Sequence, residues 1–81
     1  MLVVKRDGRK VEYDGDKIIV AISQANKEVS SKDKLSRAGI EEIIQYIASL
    51  NKATMSVETI QDIIERKLME AGKFTLAKKY I

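Results

Sequence analysis

The chain contains no cysteine and no histidine. Disulfides, zinc knuckles, thiol nucleophiles and imidazole bases are therefore excluded together, and most hydrolytic and redox chemistry with them. No apolar run approaches the ~20 residues that span a bilayer, and the start lacks the long apolar core of a signal peptide. An intracellular, cytoplasmic address is expected. No internal repeat or low-complexity tract is visible, and the carboxylates show no dedicated metal spacing. A large charge excess is also missing: Lys plus Arg number 15 against 12 Asp plus Glu, and the difference falls entirely in residues 1–40, which hold nine against six. Such a field suits a small polyanion but is weak for duplex DNA, which calls for a broad basic face.

What is present describes one small domain. At 81 residues, with 44% hydrophobic and 33% charged residues, the chain reads as an ordinary soluble globular unit with a thin core. Leu2-Val3-Val4 and Val11-Glu12-Tyr13 are short β-type runs around Arg6-Asp7-Gly8-Arg9, whose Asp and Gly suit a tight turn, so the first thirteen residues predict a β-hairpin. Asp14 is a good N-cap, and Ile18, Ile19, Ile22 and Ala25 recur at helical spacing, predicting a helix from about Gly15 to Lys27. Residues 28–39 predict a polar connection. Ile40, Ile43, Ile44, Ile47 and Leu50 mark a second helix. Ser56 caps a third, with Ile60, Ile63, Ile64 and Leu68 as its buried stripe and Gly72 as its stop. Phe74, Leu76, Ala77, Tyr80 and Ile81 predict a fourth, and the stop of the sequence inside that pattern suggests a domain taken from a longer chain.

Chemistry concentrates near the start. Lys5-Arg6-Asp7-Gly8 closes the hairpin and Asp16-Lys17-Ile18 opens the first helix, so cations from separate segments can converge beside apolar side chains. That arrangement suits a triphosphate and a base. Lys5 and Lys17 are the best phosphate ligands. Arg6 either chelates phosphate with its planar fork or pairs with Asp7, Asp14 or Asp16 and holds the hairpin to the helix. Val3, Tyr13, Ile18 and Ile22 offer apolar surface for the base, although an isoleucine on a helical stripe more often packs a core, Ile22 above all. Gln61, polar beside Ile60, is a further candidate contact, whereas Ser56 is most simply a cap. Lys78 and Lys79 read as a solvated face.

These elements, in this order, resemble the ATP-cone family: Lys5 to Gly8, Tyr13, Lys17-Ile18, Ala21-Ile22, Ala25, Ser56 to Gln61, and Ala77 with Tyr80-Ile81, spanning essentially the whole chain. The resemblance implies an α+β fold, a small four-helix bundle capped by an N-terminal β-hairpin or three-stranded sheet. It implies adenine-nucleotide binding between cap and bundle, with ATP or dATP as allosteric effector and Mg2+ accompanying the phosphates. Such domains sit on ribonucleotide reductase large subunits, where ATP sustains activity and dATP stops it. The implied partners are the catalytic domain of a parent reductase and a second cone. The short lead-in before Lys5 looks most like an anaerobic, class III type reductase. The family also occurs in a repressor of reductase genes behind a cysteine-built zinc ribbon, a context that the lack of cysteine disfavours. Val11 stands where relatives can carry an acidic residue, and the basic residues that follow the Tyr-Ile pair in the family are missing.

Two further classes follow from the residues alone. A nucleic-acid binder would use the basic hairpin tip, Lys5, Arg6, Arg9 and Lys10, and would bind oligonucleotides in a salt-sensitive way. A helical protein-interaction module would leave those cations solvated. No catalytic constellation is present in the sequence, so any chemistry belongs to another domain.

Overall fold

The computed structural model describes all 81 residues. Strands β1 (Leu2–Val4) and β2 (Lys10–Glu12) pair antiparallel, with Val3 opposite Val11. The reversal is a tight turn in which Gly8 N–H donates to the Lys5 carbonyl at 2.9 Å and Lys5 N–H to the Arg9 carbonyl at 2.7 Å. Gly8 takes φ +89°, a left-handed conformation that glycine adopts without a steric cost. A third strand, β3 (Thr54–Ser56), runs parallel to β1 on its other edge, giving the order β2-β1-β3. The cap is thus the three-stranded sheet, not the bare hairpin.

Helix α1 (Gly15–Asn26) starts where the Asp14 carboxylate accepts the Asp16 N–H at 3.0 Å. Asn26, at its far end, ties down the following connection: its side chain donates to the Leu35 carbonyl and accepts the Leu35 N–H, both at 3.0 Å. That connection contains one 3-10 turn, Ser31–Asp33. Helix α2 (Arg37–Ser49) begins three residues before the first isoleucine of its stripe, because Ser36 Oγ accepts the Gly39 N–H at 3.1 Å. The polar connection is accordingly shorter than the 28–39 expected. Helix α3 (Val57–Glu70) starts on the Ser56 cap, with Ser56 Oγ accepting the Thr59 N–H at 3.1 Å, and ends at Gly72, φ +76°. Helix α4 (Phe74–Tyr80) closes the chain.

The helices pack in cyclic order, α1 on α2, α2 on α3, α3 on α4 and α4 back on α1. Fourteen residues are buried, all apolar, and eight of them are isoleucines. β-branched side chains have few rotamers, which favours one packing arrangement over several. Ile22, Ile47, Ile64, Leu68 and Leu76 form the fully buried centre. Val3 and Met55, from β1 and β3, belong to the same cluster, so sheet and bundle share one core. No helix is long and apolar enough to cross a membrane.

Candidate functional site

Where the sheet meets the helix starts, two hollows lie side by side. The inner one, about 120 Å³, is lined by Val3, Val11, Tyr13, Ile18, Val57 and Ile60, with Lys5, Glu12, Asp14 and Lys17 as its polar groups. The outer one, about 340 Å³ and more open, is lined by Lys5, Arg6, Asp7, Arg9, Val57 and Gln61. Lys5 and Val57 belong to both, so a ligand seated in the inner hollow passes Lys5 on its way to the outer one. Each position follows from local structure. The pleat turns Val3 inward from the centre of β1, Lys5 leaves the strand at the turn, and Lys17 and Ile18 lie in the first turns of α1 after the Asp14 cap.

Of the eight residues singled out in the sequence, Val3, Lys5, Tyr13, Lys17 and Ile18 surround the inner hollow. Arg6 and Gln61 join Lys5 around the outer one. Ile22 lies in neither and is wholly buried in the core. Val57 and Ile60 complete the walls and were not anticipated as site residues. Both fall in the Ser56 to Gln61 stretch noted in the sequence, and the Ser56 cap puts Val57 in the first turn of α3; that this turn lies beside β1 depends on the parallel β1-β3 pairing.

The cations divide by what they touch. No carboxylate lies within ion-pair distance of Lys5 or Lys17. Arg6 pairs with none of the three aspartates expected. Its Nη2 donates to Gln61 Oε1 at 3.1 Å and its Nε lies 3.9 Å from Glu58 Oε1, so it links the hairpin to α3 rather than to α1. Asp7 instead serves Arg9. Its two oxygens accept the Arg9 backbone N–H at 3.0 Å and the Arg9 Nε–H at 2.7 Å. These contacts, the backbone one first, hold the exposed Asp7 carboxyl below its usual range. Tyr13 lays its ring along the inner hollow and donates its hydroxyl to the Ile44 carbonyl of α2 at 3.3 Å. Burial pushes that phenol up from its ordinary value.

An apolar recess with unpaired ammonium groups at its rim accommodates a ligand with a flat apolar part and an anionic part. The start of α3 between the two hollows adds the positive end of a helix dipole. The arrangement holds no cluster of three or more His, Cys, Asp or Glu side chains that could grip a metal ion directly.

Comparison with known proteins agrees with this geometry. The family model of the ATP cone domain matches residues 1–81. Three curated relatives each align with 98% of the chain. The anaerobic ribonucleoside-triphosphate reductase of Haemophilus influenzae is 32% identical over 80 residues. The ribonucleoside-diphosphate reductase subunit alpha of Chlamydia pneumoniae is 30% identical over 88. The vitamin B12-dependent ribonucleoside-diphosphate reductase of Mycobacterium tuberculosis is 33% identical over 79. The chain spans only 8 to 11% of the length of these relatives. With a family match over its whole length, and an order of elements and a pair of hollows that suit it, this chain belongs to the ATP cone domain family.

Proposed function

We propose that this cone is an allosteric sensor of ATP and dATP that sets the overall activity of a ribonucleotide reductase. The observation that carries the proposal is the pair of unpaired lysines, Lys5 and Lys17, at the rim of a recess walled by Val3, Tyr13, Ile18, Val57 and Ile60. Adenine enters the recess, Lys17 and Lys5 meet the phosphates nearest the ribose, and the remaining phosphates extend past Lys5 toward Arg6 and Gln61. Ile22 contributes from behind, as the core residue one turn along α1 from Ile18. Magnesium travels on the phosphates. Identities of 30 to 33% across three reductase types support reductase control rather than one type of enzyme. The domain supplies no chemistry of its own; the catalytic domain of the parent enzyme, in the cytoplasm, is its partner, and a second cone is a further one.

ATP and dATP differ by one hydroxyl, and a neutral hydrogen bond contributes about 0.5 to 1.5 kcal/mol net. Opposite outputs therefore arise from two arrangements that the nucleotides favour unequally, with a coupling of about 1 to 3 kcal/mol. The test is a calorimetric or amide-shift titration of the domain with ATP, dATP and GTP. Both adenine nucleotides should saturate the domain more tightly than GTP, and Lys5→Ala and Lys17→Ala should each weaken binding about tenfold or more, the loss expected for one charge-assisted contact. A folded wild-type domain that binds no nucleotide, or binds unchanged in both variants, would refute the assignment.

A further inference from the structure

Arg9 lies on the outer hollow, and neither the motif residues nor the inner recess accounts for it. Its guanidinium is already aimed. The Nε–H is held by Asp7 Oδ2 at 2.7 Å, while Asp7 Oδ1 accepts the Arg9 backbone N–H at 3.0 Å, so one carboxylate fixes both ends of the residue. The two Nη groups have no protein partner. Arg6, the other arginine of the hollow, is engaged by Gln61 and Glu58 on α3. Lys5 marks the junction with the inner recess. Of the three cations on the outer hollow, Arg9 is thus the one with a planar, pre-oriented and unoccupied pair of donors, the geometry that suits two oxygens of one phosphate.

Resting on the adenine-nucleotide reading above, we propose that Arg9, positioned by Asp7, binds the terminal phosphate of the nucleotide and sets the preference for triphosphates over diphosphates. With the base in the recess and Lys5 at its mouth, each added phosphate lies further out along the hairpin side of the hollow. AMP ends near Lys5, and the third phosphate of ATP reaches the tip where Arg9 waits. Asp7 is the positioning residue. Its carboxylate tempers the local positive charge but leaves both Nη groups of Arg9 unpaired, and holding Arg9 in advance reduces the rotamer entropy lost on binding.

The experiment titrates the wild type, Arg9→Gln and Asp7→Asn with AMP, ADP and ATP at fixed magnesium and ionic strength, with far-UV circular dichroism confirming the fold of each. Wild type should bind ATP more tightly than ADP. Arg9→Gln should weaken ATP about tenfold, the loss of one charge-assisted contact, while changing ADP and AMP by less than about twofold. Asp7→Asn should lower the ATP-to-ADP ratio in the same direction by less, and the double variant should lose no more than Arg9→Gln alone. A purely structural role for the Asp7–Arg9 pair would weaken all three nucleotides alike. That outcome, or an unchanged ATP-to-ADP ratio in Arg9→Gln, overturns the proposal while leaving adenine binding intact. Absence of binding of any nucleotide by the wild type overturns the underlying reading as well.

Discussion

Tyr13 shows how one side chain couples the recess to the bundle. Tyr13 lines the inner hollow while its hydroxyl donates to the Ile44 carbonyl, so the same side chain touches both the hollow and α2. At 3.3 Å that bond is long, and Tyr13→Phe should cost about 0.5 kcal/mol, the low end for a neutral hydrogen bond. The pH response is the sharper check. Burial raises the phenols of both Tyr13 and Tyr80 above the ordinary value of 10.0. The native state therefore holds these protons more tightly than the unfolded chain does. The stability they contribute is complete below pH 10 and declines as pH rises through the raised native values. Urea midpoints measured from pH 8 to 11 should fall more steeply for wild type than for Tyr13→Phe above pH 10. Parallel curves would show that the Tyr13 phenol ionises as freely in the folded domain as in the unfolded chain.

At the scale of elements, the helix starts do two jobs. Ser36 and Ser56 cap α2 and α3 with the same contact, a hydroxyl accepting an N–H three residues on, at 3.1 Å in both cases. Ser56 Oγ also donates to Thr59 Oγ1 at 2.9 Å, so Ser36→Ala should cost ~1 kcal/mol in chemical denaturation and Ser56→Ala at least as much. Their functional consequences should differ. Ser56 also pairs with Val4 in the sheet and precedes Val57, which walls both hollows. Ser56→Ala should weaken ATP severalfold, while Ser36→Ala leaves the affinity unchanged; equal effects on binding would show that α3 has no special place at the site. The same two serines explain what was legible in the sequence. Each serine stands four residues before the first isoleucine of its stripe, but Ser56 is followed at once by the apolar Val57 and the first-turn acid Glu58, so its helix could be placed to the residue. Ser36 is followed by Arg37-Ala38-Gly39, a first turn with a glycine and no acid, and a reading by apolar period starts α2 at Ile40 rather than Arg37. Strand β3 has three residues, too few for alternation to register, and it exists because β1 offers a free edge. Five of the eight expected site residues meet around one recess because hairpin and α1 are adjacent in sequence. The Arg6 partners, Gln61 and Glu58, come from α3, more than fifty residues away; Gln61 stands out in the sequence as a polar candidate contact, but no local pattern pairs either residue with Arg6.

For the molecule as a whole, the decisive property is how little core it has relative to its length. Fourteen buried side chains hold the four helices and the sheet as one unit, with no buried polar network to add specificity. A domain of this size has on the order of 5 kcal/mol of stability, so binding energy is comparable to folding energy. Leu68, wholly buried in α3, is a direct probe. Leu68→Ala should cost about 2 to 5 kcal/mol and leave the domain largely unfolded at 37 °C. A nucleotide that binds only the native state stabilises it by about 2.7 kcal/mol at a hundred times its Kd, and in a domain this small each kcal/mol moves Tm by roughly 4 to 8 °C. Saturating ATP should therefore raise the wild-type Tm by about 10 °C or more and restore a cooperative transition to Leu68→Ala, with GTP doing much less. The two hollows draw on β1, β2, α1 and α3 at once, so a nucleotide seated as proposed would touch all four elements. A large ATP shift in wild type without rescue of Leu68→Ala would mean that the nucleotide stabilises the cap independently of the bundle, and that signals leave the site through the hairpin rather than through the helices.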